Sequence, residues 1–290
     1  MYFDPSINRK RNIVTKSLND LKDKLGPLPA IIEISESGMC NRTCSFCPRS
    51  DPNYNHVNEF ISFFLLEKLA NELHQLNFRN RILFSGFVEP LLDKKLYEKI
   101  KLLKNYLPNS KIEINTNGDV LNKARMIKLF ENGLDVILIS VYDSKEDADK
   151  FEKLCNDTGL NKNQFVIRHR YYSEEKDFGI TLSNRAGMMN NADFSIKSLT
   201  EPLKSPCYYP SYTFFLDYQG DVLMCPHDWG KKLILGNLNQ KSFSDIWYSK
   251  KAIMIRKKLN SGDRNIKPCD VCDVKGTYIG KEYAEEWQKK

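Results

Sequence analysis

The sequence has no apolar run of the length that a membrane span requires. Its longest candidates, such as Ile61–Leu66, are short and flanked by charge, whereas a transmembrane helix needs about 20 apolar residues. The first residues run directly into the basic segment 8–11, without the apolar stretch of a secretory signal peptide. We therefore expect a cytoplasmic protein with no membrane partner.

The sequence also lacks a basic stripe, an internal repeat and a low-complexity tract. Its 44 Lys and Arg residues exceed its 37 Asp and Glu residues and give a net charge of +7, but the basic residues are spread along the chain. This distribution fits an anionic small ligand better than nucleic acid, because proteins that bind nucleic acid carry their Lys and Arg residues in clusters. The 290 residues, 41% of them apolar, are enough for about two domains and a core that needs no disulfides.

Cysteine is the informative residue type in this chain. The eight cysteines form two groups and one isolated residue, Cys155, which we interpret as a small buried apolar side chain. The first group is N-terminal and the second lies in the last third of the chain: Cys40, Cys44 and Cys47, then Cys207, Cys225, Cys269 and Cys272. Because disulfides are rare in cytoplasmic proteins, the two groups indicate metal ligation or catalysis.

Between about residues 30 and 185, short β-rich runs alternate with helical stretches. The predicted strands are Ile31–Ile34, Arg81–Phe84, Lys111–Ile114, Asp135–Val141, Gln164–Tyr172 and Phe178–Leu182. Helices are predicted at Phe63–Leu76, Lys94–Leu107 and Leu121–Glu131, with a fourth that begins after Asp143 or Ser144 and ends near Cys155. The alternation is typical of a parallel sheet with crossover helices. Six β/α units are too few for an eight-stranded barrel, so we expect an α/β fold with a partial, TIM-like (β/α)6 barrel.

The pattern changes after about residue 186. A hairpin is predicted from Tyr212–Leu216 and Val222–Met224, with Gly220 in the turn. Ser242 and the acidic residue three positions later open a predicted helix over Phe243–Leu259. We therefore expect an N-terminal extension over 1–29, a barrel over 30–186 and a small α+β domain over 187–290, built around its cysteines.

The spacing Cys40-x3-Cys44-x2-Cys47 lies directly after the first predicted strand. In parallel β/α folds, that position belongs to the carboxyl-terminal face, where active sites are built. Structural zinc takes four ligands, whereas three thiolates on a four-iron cluster leave one iron open to bind another molecule. The alternative is a zinc site completed by a distant residue such as His56.

The segment from Cys40 to Cys47, with Phe46 just before the third cysteine, resembles the signature of the radical S-adenosylmethionine (SAM) superfamily. The resemblance implies a [4Fe-4S] cluster whose open iron binds SAM. It also implies a 5′-deoxyadenosyl radical that removes a hydrogen atom from a substrate, and a reducing partner such as flavodoxin or ferredoxin. The protein itself then supplies positioning and the exclusion of water.

Other segments match where the superfamily places its SAM contacts. The segment 85–90 resembles the Gly-Gly-Glu-Pro-type segment that contacts the SAM amino group, but Val88 stands where the second glycine is usual. The resemblance assigns the following residues to cofactor binding: Phe46, Gly86, Glu89, Pro90, Asn115, Asn117, Ser140 and Arg185.

The second cysteine group resembles the C-terminal SPASM/twitch extension of radical SAM enzymes. Its members Cys207, Cys225, Cys269 and Cys272 are enough for one auxiliary [4Fe-4S] cluster, and structural zinc is the alternative on spacing alone. A fully ligated cluster has no open iron for a substrate, so it carries an electron or holds the domain together.

The single auxiliary cluster and the compact length resemble the deoxy-scyllo-inosamine dehydrogenase type. The resemblance implies an oxidoreductase that oxidises a secondary alcohol of a sugar or aminocyclitol-like metabolite, with the auxiliary cluster as electron acceptor. Arg168 or Arg170 is then a candidate to stabilise the developing alkoxide, with His169 as an alternative base. The alternatives are a peptide- or protein-modifying maturase, an epimerase and a non-enzymatic zinc-binding module.

Overall fold

The computed structural model describes residues 5–20, 22–23, 25–171 and 182–290. Their main feature is an eight-stranded sheet with the spatial order β8-β7-β6-β1-β2-β3-β4-β5. The strands are β1 (Ile31–Ser35), β2 (Arg81–Phe84), β3 (Lys111–Thr116), β4 (Val136–Val141), β5 (Phe165–His169), β6 (Thr213–Asp217), β7 (Asp221–Leu223) and β8 (Ile234–Asn237). Strands β1 to β6 are parallel, and β7 and β8 extend one edge as antiparallel strands.

Helices surround the sheet and connect its strands. They are α1 (Pro5–Asp20), α2 (Phe63–Gln75), α3 (Leu96–Tyr106), α4 (Lys123–Glu131), α5 (Lys145–Asp157), α6 (Tyr209–Tyr212), α7 (Phe243–Trp247), α8 (Lys250–Asn260) and α9 (Lys281–Gln288). A two-residue ribbon pairs Lys22–Asp23 with Gly26–Pro27. Within the described residues, no helix is both long and apolar enough to span a bilayer.

The two faces of the parallel strands differ in chemistry. Ile32 and Ile34 of β1, like Ile112 and Ile114 of β3, belong to the main hydrophobic core beneath the helices. Because successive side chains of a strand point to opposite faces, the residues between them, including Glu33, line the barrel interior. The strands thus bury their aliphatic face and present charged groups inside the barrel, where a polar ligand would bind.

The parallel sheet and its crossover helices confirm the predicted partial barrel, but its sixth strand has a different origin. Residues 178–181 of the predicted strand Phe178–Leu182 lie outside the described residues. The sixth parallel strand in the described sheet is β6, which pairs with β1 from Ile31–Thr213 to Ser35–Asp217. The segment predicted as the first strand of the C-terminal hairpin therefore also extends the barrel sheet. The predicted domain bounds at residues 29 and 186 remain a prediction.

The predicted single helix Phe243–Leu259 is wrong, because the chain forms the separate helices α7 and α8. Ser242 and Asp245 form the expected capping box at the start of α7. A second cap interrupts the helix, since the Ser249 side chain accepts a hydrogen bond from the Ala252 backbone N–H. A serine that can satisfy a free backbone N–H competes with helix continuation, and the apolar periodicity continues across the break.

The turn between the two helices places Arg256 between two tryptophan rings. Its guanidinium carbon lies 3.7 Å from the Trp247 ring centroid and 4.2 Å from that of Trp287. The fully buried side chain donates to the carbonyl oxygens of Pro210 and Trp247, at 2.8 and 2.7 Å. Burial lowers the pKa of this guanidinium to about 9. Arg256 therefore joins α7, α8 and α9 to α6, the short helix that follows Cys207.

We expect Arg256→Ala to lower the free energy of unfolding by about 3 kcal/mol, because it removes the stacked cation and leaves buried carbonyl oxygens without donors. Met254→Ala on the exposed side of the same helix should change stability by less than about 0.5 kcal/mol. Anaerobic thermal unfolding compares the two variants. Equal losses of stability would contradict the structural role assigned to Arg256.

Candidate functional site

The first cysteine group lies in the loop that leaves the carboxyl end of β1. Cys40, Cys44 and Cys47 are partly exposed, and none forms a disulfide. Burial raises the pKa of all three thiols, that of Cys44 to about 11. Since iron binds the thiolate, cluster assembly must release these protons.

Arg42 anchors this cysteine loop to two neighbouring strands. Its guanidinium donates to the carboxylates of Asp119, which follows β3, and Asp143, which follows β4, and the shortest distances are 2.5 Å and 2.7 Å. The acceptor carboxylates raise the pKa of the guanidinium and keep it charged. Arg42 was not among the site residues predicted from the sequence. Its position between Cys40 and Cys44 was the available signal.

Arg49 and Glu89 attach the loop to the segment that follows β2. Buried Arg49 donates to the Gly38 carbonyl at 2.9 Å and to the Phe87 carbonyl at 3.2 Å. The Glu89 backbone N–H donates to the Met39 carbonyl at 2.8 Å. These bonds hold the cysteine loop against the segment 85–90, whose sequence predicts SAM contacts.

The Glu89 carboxylate is itself occupied by protein donors. It accepts hydrogen bonds from the Leu91 backbone N–H, the Thr116 hydroxyl and the Asn117 backbone N–H, at 3.0, 2.5 and 2.7 Å. Glu89 is only 2% exposed, and burial raises its pKa. The geometry therefore gives Glu89 a positioning role, in which it connects the end of β2 to the turn after β3.

Three residues predicted from separate strands meet inside the barrel. Asn115 of β3 accepts hydrogen bonds through Oδ1 from the Ser140 hydroxyl of β4 at 3.0 Å and from Arg168 Nη1 of β5 at 2.9 Å. Arg168 also lies 3.2 Å from the Ser140 hydroxyl oxygen. The carboxyl ends of three adjacent strands thus present one connected polar group to the interior.

The other two catalytic candidates, His169 and Arg170, have surroundings that differ from those of Arg168. His169 lies on the opposite face of β5, where its Nδ1 is 3.1 Å from the Tyr171 hydroxyl. Burial raises the pKa of the Tyr142 hydroxyl, and the positive charge of Arg170 partly opposes that rise. Tyr142 also packs against Phe46, with 5.2 Å between the ring centroids. Of the three proposed catalytic candidates, Arg168 is the one in the Asn115–Ser140 group.

Three further predicted cofactor residues, Gly86, Pro90 and Asn117, lie at the same end of the barrel. Gly86 has a φ of +100°, and a Cβ there would lie 2.9 Å from the Phe215 ring, so this close approach requires glycine. Pro90 begins a short 3-10 helix. The Asn117 side chain donates to Asn41 in the cysteine loop at 2.8 Å.

The second cysteine group lines one cavity. All four predicted ligands are in its wall: Cys207, Cys225, Cys269 and Cys272. Much of the remaining wall is apolar, with Met224, Leu233 and Leu259 among its residues. Burial raises the pKa of all four thiols, that of Cys272 to about 11 and that of Cys269 to about 12.

Arg264 holds together the two segments that carry these cysteines. The side chain, 2% exposed, donates to the carbonyl oxygens of residues 205–206, just before Cys207, and of residues 274–275, just after Cys272. The four donor–acceptor distances are 2.6 to 2.9 Å. The buried cation partly opposes the rise in pKa that burial causes at Cys207, Cys269 and Cys272, which favours the thiolates that iron requires.

The donor sets fit iron–sulfur clusters. Within the part of the chain that the structure describes, no three Cys, His, Asp or Glu side chains converge as the ligands of a single ion do. A four-iron cluster instead binds each thiolate at a different iron, so its ligands surround a larger volume. Gly276 leaves room beside one ligand, because a Cβ there would lie 2.5 Å from Cys207 Sγ.

Arg185 lies between the two cysteine groups. Its positive charge partly opposes the rise in pKa that burial causes at Cys47, and its Nη1 is 3.4 Å from Nδ1 of His227. His227 follows Cys225 by two residues, and Ala186 lines the auxiliary cavity. Burial and the nearby cations lower the pKa of His227 to about 3, so the imidazole is neutral at physiological pH.

Family models match both halves of the chain. The model of the radical SAM superfamily matches residues 34–182, and the model of the SPASM iron–sulfur cluster-binding domain matches residues 207–273. Because the first match spans just over half of the chain, the protein belongs to the radical SAM superfamily. Its C-terminal part is a SPASM-type domain, which confirms the expected SAM-binding and auxiliary iron–sulfur clusters.

Curated relatives and solved structures agree with this membership. The chain is 30% identical over 244 residues to the S-adenosyl-L-methionine-dependent 2-deoxy-scyllo-inosamine dehydrogenase of Niallia circulans, covering 84% of this chain and 91% of that relative. A GTP 3′,8-cyclase of Clostridium perfringens is 25% identical over 198 residues, which are 68% of this chain and 58% of the cyclase.

The structure of BtrN in complex with AdoMet and 2-DOIA superposes with a TM-score of 0.73 at 27% identity, covering 88% of this chain and 98% of BtrN. The structure of anSMEcpe with bound AdoMet has a TM-score of 0.53 at 15% identity, which is a likeness of fold alone.

We expect Cys44→Ala to abolish SAM cleavage, because it removes one of the three ligands of the SAM-binding cluster. EPR of the reduced, anaerobic protein should lose the signal that SAM perturbs and keep the signal of the auxiliary cluster. Cys155→Ala, at the cysteine outside both groups, is the control and should keep both signals. A SAM-perturbed signal in Cys44→Ala would contradict the ligand assignment.

We expect Gly276→Ala to displace Cys207 and lower the iron content from about eight to about four atoms per chain, since one cluster is lost. Gly159→Ala is a matched control, because its φ of +80° is similar and its Cβ would meet no atom within 4 Å. Iron and sulfide analysis of anaerobically purified protein measures the difference. Full iron content in Gly276→Ala would show that Cys207 tolerates the added methyl group.

Proposed function

We propose that this protein is a radical SAM dehydrogenase that oxidises a secondary alcohol of a small polyhydroxylated metabolite, such as an aminocyclitol or a sugar. The name of the relative from Niallia circulans, a 2-deoxy-scyllo-inosamine dehydrogenase, supports this substrate class. The auxiliary cluster is the proposed electron acceptor. We also propose that the protein works in the cytoplasm and receives electrons from a flavodoxin or a ferredoxin.

The proposal depends most on the positions of the two cysteine groups. The first lies beyond the carboxyl end of β1. Cys207 precedes β6, and Cys225 follows antiparallel β7, so both lie toward the amino end of β6. Strands rise about 3.3 Å per residue, so the first and last residues of a five-residue strand lie about 13 Å apart. A substrate in the barrel interior would lie between the radical source and the electron acceptor.

Oxidation of an alcohol to a carbonyl removes a hydrogen atom, a proton and an electron from the substrate. When bound, SAM and its cluster would supply the radical that takes the hydrogen atom, and the auxiliary cluster would accept the electron. Arg168 is held by Asn115 and Ser140, where its guanidinium would stabilise negative charge on the substrate oxygen as the proton leaves. Preorganised donors of this kind lower the cost of charge development in a dry site.

The position of Cys155 disfavours an epimerase that uses it as a hydrogen donor. An epimerase must return a hydrogen atom to the substrate radical. Cys155 is fully buried in the core beneath the helices, on the opposite side of the sheet from the barrel interior. Burial raises the pKa of its thiol to about 11, as expected for an apolar core position.

The test compares wild-type protein with Cys269→Ala, using 2-deoxy-scyllo-inosamine as the probe. We expect the wild type to release 5′-deoxyadenosine and a product that lacks two hydrogen atoms, both measured by mass spectrometry. Cys269→Ala should still cleave SAM but form no oxidised product, because the electron acceptor is lost. Cys155→Ala is the control and should behave like the wild type. Oxidised product from Cys269→Ala would refute the electron-acceptor role.

A further inference from the structure

Helix α1 lies outside the matched family models, which begin at residue 34, yet it contributes to the barrel. It contacts β5 and α9. Val14 on its apolar face packs with Ile31 of β1 and with Tyr212 and Tyr283. The helix is therefore part of the folded core, and its polar residues have defined positions.

An ion pair fixes α1 against the barrel. Arg9 donates to both carboxylate oxygens of Glu113 in β3, at 2.6 and 3.0 Å. Glu113 is buried and also accepts a hydrogen bond from Arg81 in β2. A bidentate pair of this kind defines orientation as well as distance, so it sets which way the next residue, Lys10, projects.

The Lys10 ammonium lies beside two tyrosine rings inside the molecule. Its Nζ is 5.1 Å from the Tyr209 ring centroid and 5.5 Å from that of Tyr212. Its charge interacts electrostatically with Glu33 of β1, with Cys225 and with Arg168 of β5. Burial lowers the pKa of this amine, while the side chain is still partly accessible.

These neighbours place Lys10 where the proposed substrate would lie. Arg168 belongs to the Asn115–Ser140 group, and Cys225 is a proposed ligand of the electron acceptor. Glu33, on the barrel face of β1, accepts a hydrogen bond from the Ser85 hydroxyl at 2.6 Å. An ammonium donor and a carboxylate acceptor therefore face the same space, an arrangement that suits a ring with adjacent hydroxyl or amino groups.

We propose that Lys10 is a substrate-binding residue, donating a hydrogen bond to a substrate hydroxyl while Glu33 accepts one from a neighbouring hydroxyl or amino group. This inference rests on the proposed function, because it assumes a polyhydroxylated substrate. It assigns part of the substrate specificity to a helix that carries no proposed cluster or SAM ligand.

The test is isothermal titration calorimetry on the unreduced, SAM-loaded holoenzyme under anaerobic conditions. The probes are 2-deoxy-scyllo-inosamine, scyllo-inositol and glucosamine. For the probe that binds wild-type protein best, Lys10→Met should weaken binding at least about 10-fold, the loss expected for a hydrogen bond to a charged group. Lys10→Arg should recover part of that loss. Lys16→Met, on the exposed face of the same helix, should bind like the wild type.

Iron content and melting temperature show whether Lys10→Met is folded and loaded with both clusters. If loaded Lys10→Met binds every probe as tightly as the wild type does, the inference is overturned. It is also overturned if none of the probes binds wild-type protein. If Lys10→Met weakens binding but the wild type returns the bound probe without oxidising it, the inference stands and the proposed dehydrogenase function fails.

Discussion

The parallel pairing of β6 with β1 is the interaction on which both cysteine sites depend. It joins the strand that leads into the first cysteine loop to the strand that begins after Cys207. Backbone hydrogen bonds between adjacent strands leave little freedom in their separation. The two sites are therefore fixed toward opposite ends of the same strand pair. Arg185 lies between them, near Cys47 of the first group and beside His227 of the second.

Local sequence patterns were enough to predict most elements of the barrel. The strand Arg81–Phe84 has the predicted bounds, and the alternation of side chains along a strand accounts for the opposite faces of Arg168 and His169. Asn115, Ser140 and Arg168 were predictable as neighbours because each lies near the carboxyl end of a parallel strand. Such residues meet at one edge whatever the detailed packing.

Features that depend on distant contacts were not predictable from one sequence. The hairpin pattern of β6 contains no information about its parallel partner β1, because that pairing is set by tertiary packing. Arg42, Arg49 and Arg264 have ordinary positions in the sequence, and their acceptors are carbonyl and carboxylate groups supplied by other segments. The break at Ser249 was missed because the apolar spacing continues through it.

In both cysteine sites, oxygen atoms of the protein hold arginines, and the arginines hold the loops that carry the thiols. Carboxylates and backbone carbonyls hold Arg42, Arg49 and Arg264, and these cations in turn hold the loops that present thiols. Helix α1 donates none of these hydrogen bonds and packs on the barrel through Val14 and through the ion pair of Arg9 with Glu113. Substitutions at the polar position Lys10, unlike those at the core residue Val14, can therefore accumulate without loss of the radical chemistry, which gives evolution a route to new substrates on an unchanged catalytic core.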